Sequence, residues 1–373
     1  MPDSLNGRVA LQRVRARARL TARMAVSRAR GRPHTLSHLV TAGCNGSCAT
    51  CLWRSGAGGR AAGANAAPAA GDRRAAGGEL GTAAVRRLYA EAGRAGMAQL
   101  VVWGGEPLLR QDLPELLLAA RRSGLFVTLI SNGWFAGERW PALRGAVDAL
   151  ILSLDDEGGA HDRMRGLPGL FARLEGFAEE LRSDPLRPTL LLNTVLSGQN
   201  RGALRRVAAV ARRWGAGLYF CPMETGELSA GEGGDRLAAL ALSQDELREA
   251  ARLALSLKDA GYPVLDSRPY LRMLAADPAL RSYTCRAPRA RLTVGADGSV
   301  RDCRRVDRPL ANVADLQAAG RPLADLFRAP VWRRMGEEAA ACTKCNNPDV
   351  IELSWLWDLR PAMLGKVAEL AGR

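Results

Sequence analysis

The sequence has no run of eighteen uncharged apolar residues, so nothing in it reads as a membrane-spanning helix. It has no charged n-region followed by an apolar h-region at its start, so no secretory signal is expected. Aromatic residues are few, 5% of 373, and none is interleaved in the basic stretch from residue 8 to 32. That stretch holds nine arginines and no acid, more than half of the net charge of +15. Without rings to stack on bases it does not read as a nucleic-acid-binding arm. It reads as a solvated tail or irregular helix, although the composition is also that of an organelle transit peptide. Eight cysteines in a large chain without a signal read as metal ligands in a reducing, cytoplasmic compartment rather than as disulfides.

Three of those cysteines lie within eight residues, Cys44-Asn-Gly-Ser-Cys48-Ala-Thr-Cys51, directly after the apolar run Leu36 to Val40. Three thiolates on one short loop can hold three corners of an iron–sulfur cube. Cubes ordinarily take four protein thiolates, so one iron is left open to bind a small molecule. A structural zinc site wants ligand pairs that close a tetrahedron. No fourth Cys or His follows closely, and His34 and His38 come before the strand ends.

Beyond the cluster loop, residues 54 to 79 are almost wholly Gly, Ala and Arg, and read as a neutral insertion or a lid. From Thr82 a regular alternation begins. Helices are expected near 82–95, 112–123, 138–146, 168–182 and 200–214, and strands at 99–103, 125–130, 148–153, 188–195 and 217–221. Apolar strands alternating with amphipathic helices mark a parallel sheet with right-handed crossovers. Six such steps fall short of the eight of a closed barrel. The fold class expected is therefore α/β, a partial (β/α)6 TIM-like barrel.

Polar residues recur where those strands end. Strand two runs into Gly104-Gly105-Glu106-Pro107, where absent side chains let backbone approach a ligand. Strand three ends Ser131-Asn132-Gly133, and strand four Ser153-Leu154-Asp155, with His161 to Gly166 following. Strand five carries Asn193-Thr194, and strand six ends Cys221-Pro222-Met223-Glu224. Cys221 has no partner at ligand spacing and reads as a small buried hydrophobe.

The C-x3-C-x2-C loop after a first strand, with Gly104-Gly105-Glu106-Pro107 after a second, resembles the radical S-adenosylmethionine (radical SAM) enzymes over residues 36 to 224. The resemblance implies a 4Fe-4S cluster on Cys44, Cys48 and Cys51 that chelates and reductively cleaves S-adenosylmethionine to a 5′-deoxyadenosyl radical. It implies cofactor binding by Gly104, Gly105, Glu106 and Pro107, with Glu106 accepting from the methionine ammonium. Ser153 and Arg165 are carried over as ribose and carboxylate contacts; a loop salt bridge is the alternative for Arg165. Asn193 would face the ribose hydroxyls or form a polar barrel layer. Asp155 and His161 would touch substrate or brace their loop. The residue before the last loop cysteine is often aromatic in the family, but here it is Thr50, with Trp53 beyond.

The C-terminal part changes character. A helix is expected from Ser243 to Ala260, packing through Leu247, Ala251, Leu255 and Leu257. Leu292 to Cys303 reads as a hairpin around Asp297-Gly298. Cys285, Cys303, Cys342 and Cys345 can close a site completely, and a zinc ribbon is one reading. Their spacing resembles the twitch domain, the shortened form of the SPASM extension, which implies an auxiliary 4Fe-4S cluster. The division expected is a basic tail (1–35), the barrel (36–224), a linker and helix (225–284), a small twitch/SPASM-like auxiliary iron–sulfur domain (285–348) and a C-terminal helix (349–373).

The function expected is a radical SAM oxidoreductase that abstracts a substrate hydrogen and oxidises the product radical through the auxiliary cluster. The substrate would be a peptide or a small molecule, and the electron donor a flavodoxin or ferredoxin. Neither membrane nor nucleic acid is expected as a partner. A redox-neutral decarboxylase or rearrangement enzyme is the alternative. A zinc-bearing nucleic-acid-binding protein is the alternative of another class.

Overall fold

The computed structural model describes residues 2–51, 78–223, 234–278, 283–301, 309–342, 345–363 and 365–366. Residues 54–77 of the 54–79 insertion, with Trp53, Glu224 and Cys303, lie outside the described residues.

Helix α1 (Pro2–Ala29) precedes β1 (Thr35–Leu39), and the cluster loop follows. Then come α2 (Thr82–Arg94), β2 (Gln99–Trp103), α3 (Leu113–Arg122), β3 (Phe126–Ser131), α4 (Ala136–Leu143) and β4 (Ala149–Ser153). The series continues with α5 (Gly159–Arg165), α6 (Leu170–Ser183), β5 (Thr189–Leu196), α7 (Leu204–Trp214) and β6 (Gly217–Pro222). Next are α8 (Gly234–Leu240), α9 (Gln244–Asp259), α10 (Arg268–Ala276), α11 (Ala287–Ala290), β7 (Arg291–Val294), β8 (Ser299–Arg301) and β9 (Ala311–Asn312). The last are α12 (Val313–Ala318), α13 (Pro330–Ala340) and α14 (Pro348–Trp357).

Strands β1 to β6 pair in parallel and in sequence order, the connectivity of a (β/α)6 barrel. Their two faces differ. Leu100, Val102, Val127, Leu129, Leu152 and Leu192 alternate onto the face that packs against the helices. On the other face, among the described residues, a small buried cluster of Ala149, Leu191 and Leu265 packs with Phe126, Ile151 and Tyr219. Above that cluster the same face is half-exposed, which leaves room for ligands.

The hairpin forms as the Asp-Gly signal predicts: β7 and β8 are antiparallel, and Gly298 takes φ +79°, a left-handed conformation suited to glycine. What the pattern did not indicate is that β7 also pairs in parallel with β1, Thr35 opposite Arg291. The hairpin thus extends the barrel sheet, in the order β6-β5-β4-β3-β2-β1-β7-β8-β9. At the opposite edge, residues 263–266 add beside β6: Leu265 donates its N–H to the Leu218 carbonyl at 2.7 Å, and Asp266 accepts from the Phe220 N–H at 2.8 Å. Helix α14 connects the two edges. Glu352 accepts from the Ser267 N–H at 2.6 Å on the β6 side, and Ser354 from the Arg286 N–H at 2.9 Å on the β7 side.

Helix α9 starts on a capping box, Ser243 with Glu246. Its buried face is Leu247, Ala251, Ala254 and Leu257; Leu255 is half-buried. Leu255 packs against the core from the edge of that face, as expected, and Ala254, two helical turns from Leu247, is buried beside it.

The arginine-rich stretch is α1, and several of its arginines dock rather than point into solvent. Arg23 donates to the carbonyls of Gly93 (2.9 Å) and Gly124 (2.7 Å), and Arg17 to Thr189 Oγ1 (2.8 Å). These acceptors lie at the C-terminal ends of α2 and α3 and at the start of β5, where carbonyls left over from helix ends favour a cation. Among the described residues no helix is long and apolar enough to cross a membrane.

Candidate active site

The cluster loop is fixed from two sides. The end of β2 holds the first side: Gly105 N–H donates to the Thr41 carbonyl at 2.9 Å, and Glu106 N–H to that of Gly43 at 2.8 Å. A Cβ on Gly104 would lie 2.4 Å from Thr41 O, and one on Gly105 2.0 Å from Gly43 O. These glycines therefore let the cluster loop itself come close, a local reason that differs from the ligand approach expected. Glu79 adds a further tie, accepting from Thr41 Oγ1 (2.7 Å) and Ala42 N–H (2.9 Å).

The C-terminal end of α5 holds the second side. Ser47 N–H donates to the Arg165 carbonyl at 3.0 Å, and Ala49 N–H to that of Met164 at 3.1 Å. Gly166 follows at φ +64°, and a Cβ there would meet Ser47 Oγ at 1.9 Å. The three thiols of the loop are close enough to influence one another. Burial first, then Glu106 and the thiols of Cys48 and Cys51, pushes the Cys44 thiol up to about 12, against a hydrogen bond from Gly46. A thiolate here needs a positive partner, and an iron cluster supplies one. Among the described residues no three such side chains converge on a single ion, whereas a cube gives each thiolate its own iron.

Glu106 sits beneath the loop, fully buried. Its Oε1 accepts from Leu108 N–H (3.0 Å) and Ser131 Oγ (2.8 Å), and its Oε2 from Asn132 N–H (2.7 Å). Pro107 opens the short turn that Glu106 caps. Asn132 Nδ2 also reaches Asn45 Oδ1 at 2.8 Å, which ties β3 to the cluster loop. Burial raises Glu106 to about 6, although three hydrogen bonds and the charge of Arg165 oppose the shift. Three donors leave capacity for one more on a carboxylate.

At the ends of β4 and β5, Asp155 is buried and Oδ1 accepts from Val195 N–H at 3.0 Å. Its Oδ2 lies 2.7 Å from Arg165 Nε, and Arg165 Nη1 lies 3.9 Å from Cys48 Sγ. The loop salt bridge weighed for Arg165 is thus present, and the guanidinium also touches a cluster cysteine. His161 braces this loop, with Nδ1 accepting from Asp155 N–H at 3.2 Å. Burial, then Arg165, lowers its pKa to about 3, so the ring is neutral. Ser153 and Asn193 are register partners on the half-exposed face, and neither side chain bonds to a described residue. Cys221 stands on that face too, half-buried rather than the packed hydrophobe expected.

In the C-terminal region burial, then the thiols of Cys345, Cys285 and Cys342, raise the Tyr283 hydroxyl, against a backbone hydrogen bond at Cys345. Cys285 and Cys345 are buried and Cys342 is half-buried. Among the described residues no three ligating side chains converge on one ion here, and Cys303 lies outside the described residues.

Sequence reasoning missed a polar group beside β6. Lys366 pairs with Glu352 and lies 4.9 Å from the Tyr219 ring. Nearby Asp266 is fully buried, and burial raises it to about 6 against the charge of Lys366. It also missed Asn45 with Asn132, and that Asp155 is the partner in the Arg165 salt bridge. No spacing marks these pairs, because each is formed by segments far apart in sequence.

No protein-family model matches the chain. The PqqA peptide cyclase of Xanthomonas campestris is 34% identical over 143 residues, 37% of this chain and 37% of that protein. The AdoMet-dependent heme synthase of Methanosarcina barkeri is 32% identical over 190 residues, 50% of this chain and 49% of that protein. The chain thus spans about half or less of the length of the curated relatives it matches. Among solved structures, Streptococcus suis SuiB bound to precursor peptide SuiA aligns over 85% of this chain and 70% of that one, with TM-score 0.58 and 14% identity. The anSMEcpe structure with AdoMet and Cp18Cys peptide aligns over 91% and 99%, with TM-score 0.59 and 14% identity. In fold the chain is similar to SuiB and anSMEcpe, and over the matched stretches its sequence is similar to the PqqA peptide cyclase and the AdoMet-dependent heme synthase.

Proposed function

We propose that this chain is a radical SAM enzyme that modifies a peptide by a net two-electron oxidation. When bound, the 4Fe-4S cluster and S-adenosylmethionine supply a 5′-deoxyadenosyl radical that removes a substrate hydrogen. The chain's residues do the rest. Cys44, Cys48 and Cys51 ligate three irons, on a loop held by the end of β2 and the end of α5. Glu106 binds the methionine ammonium with its remaining acceptor capacity. Gly104, Gly105 and Pro107 shape that corner, and the Arg165 guanidinium offers a fork to the carboxylate. Ser153 and Asn193 present free polar groups to the ribose. Cys285, Cys303, Cys342 and Cys345 would hold an auxiliary cluster, which would supply the acceptor for the second electron.

The single observation that carries this reading is the junction of Cys44 and Glu106. A fully buried carboxylate with spare acceptor capacity lies against a triple-thiol loop that needs a positive partner. Both demands are met by an iron cluster with an ammonium-bearing ligand on its open iron.

The peptide substrate rests on the PqqA peptide cyclase relative. Residues 36–224 carry the radical chemistry and 285–348 the auxiliary cluster. The segment 225–284 links them, with 1–35 and 349–373 flanking. A flavodoxin or ferredoxin supplies the first electron, in a cytoplasm reducing enough to keep seven cysteines as thiolates. The test is co-expression with a short precursor peptide encoded beside the gene, followed by intact-mass spectrometry. Loss of two hydrogens is expected. Loss of carbon dioxide would replace this reading by a decarboxylation, and an unmodified peptide with an altered small molecule would remove the peptide.

A further inference from the structure

We infer that Arg165, anchored by Asp155, raises the reduction potential of the cluster bound by Cys44, Cys48 and Cys51. This rests on the reading above that those thiolates hold a cluster. Arg165 is 9% exposed and Asp155 1%. The guanidinium has Nε 2.7 Å from Asp155 Oδ2 and Nη1 3.9 Å from Cys48 Sγ. An arginine keeps its proton in a protein, so a permanent charge rests against one ligand sulfur where little water screens it.

The placement is rigid. The carbonyl of Arg165 accepts from Ser47 N–H at 3.0 Å, so one residue holds the ligand loop by its backbone and Cys48 by its side chain. Asp155 cannot swing away, because its Oδ1 is held by Val195 N–H at 3.0 Å. The loop is also asymmetric: Cys44 feels the Glu106 carboxylate, whereas Cys48 meets a cation.

Reduction adds one electron, taken from an external low-potential reductant, and no proton. It makes the cluster and its thiolates more negative. A fixed cation at Cys48 stabilises the reduced form more than the oxidised form, and charges near the sulfurs are among the terms that set such potentials. Asp155 partly offsets the guanidinium and points its positive end at the sulfur. Arg165 is in this respect a positioning residue with an electrostatic effect, separate from any contact with the cofactor carboxylate.

The experiment is a dithionite titration of the reconstituted full chain, followed by electron paramagnetic resonance without S-adenosylmethionine. Leaving the cofactor out removes the carboxylate contact from the measurement. The signal that later shifts on adding the cofactor identifies the first cluster. Arg165→Gln is expected to lower the reduced-to-oxidised ratio at fixed potential on the order of tenfold, about 59 mV for one electron. Arg165→Lys should recover part of that shift. Asp155→Asn, which keeps an oxygen for Val195, should move the midpoint upward. Opposite shifts are not what a merely structural role would produce. An unchanged midpoint in Arg165→Gln, no recovery in Arg165→Lys, or a fall in Asp155→Asn would each overturn the inference. If Arg165→Gln takes up no cluster, the rise in Asp155→Asn still decides it. An unsubstituted protein with no 4Fe-4S signal at all would overturn the underlying reading, and the inference with it.

Discussion

Cys44, Cys48 and Cys51 come from one loop of eight residues, whereas Cys285 lies far in sequence from the Cys342 and Cys345 pair. The first group is held by backbone: the carbonyls of Arg165 and Met164 on one side, and the N–H groups of Gly105 and Glu106 on the other. The second is held by tertiary packing, with β7 paired to β1 and α14 packed between α10 and α11. The first group faces Glu106 and Arg165, two buried charges of opposite sign. The thiols of the second act electrostatically on the buried Tyr283 hydroxyl. A charged, tightly held site suits binding and splitting a charged cofactor.

Breaking each group should therefore have different consequences. The largest effect is expected at the first. Replacing Cys44, Cys48 and Cys51 by Ala should abolish deoxyadenosine formation while about four irons per chain remain at the second group. Undiminished cofactor cleavage would erase the distinction. Cys342→Ala should do the converse: cofactor cleavage continues without substrate, and modified product is no longer formed. Product at normal yield would reduce the second group to a structural element.

Glu106 sharpens the comparison through charge. Glu106→Gln should weaken S-adenosylmethionine binding by about 2–5 kcal/mol, the usual cost of unpairing a buried charge, with iron content unchanged. The pH dependence has a definite sign. The carboxyl is raised to about 6 in the fold, so the stability it contributes is full below the ordinary carboxylate range and is lost as pH rises through about 6. Binding an ammonium needs the ionised form. Calorimetric affinity should therefore climb as pH rises through about 6 and level off above it. A flat profile would place the ammonium elsewhere.

Gly105→Ala comes next in size. Its Cβ would sit 2.0 Å from the Gly43 carbonyl oxygen, which is backbone and cannot rotate away. A loss of about 1–3 kcal/mol in thermal stability is expected, with poor iron loading. Gly298→Ala, at φ +79° in the hairpin turn, should cost about 1 kcal/mol and leave the first cluster untouched.

The same contrast explains what could be read from the sequence. The parallel strands, the Asp297-Gly298 turn and the cluster loop are local signals, periodicity or spacing within a short window, and they fall where the structure has them. The pairing of β7 with β1 is not local, and neither is the ion pair between Asp155 and Arg165. Asp266 reaches the edge of β6 only because residues 263–266 add to the sheet, which no alternation in that short segment shows. Gly104 and Gly105 were legible as places where side chains are excluded. What excludes them, the carbonyls of Thr41 and Gly43, is visible only in three dimensions.

The central claim is that Cys44, Cys48, Cys51 and Glu106 form one site that binds and reductively splits S-adenosylmethionine. The most direct measurement is 5′-deoxyadenosine formed by the anaerobically reconstituted protein on adding S-adenosylmethionine and dithionite, with iron, sulfide and zinc counted in the same sample. The account predicts about eight irons and eight sulfides per chain, and deoxyadenosine that disappears in the triple cysteine variant. Zinc in place of iron, or an iron-loaded protein that leaves S-adenosylmethionine intact, would contradict it.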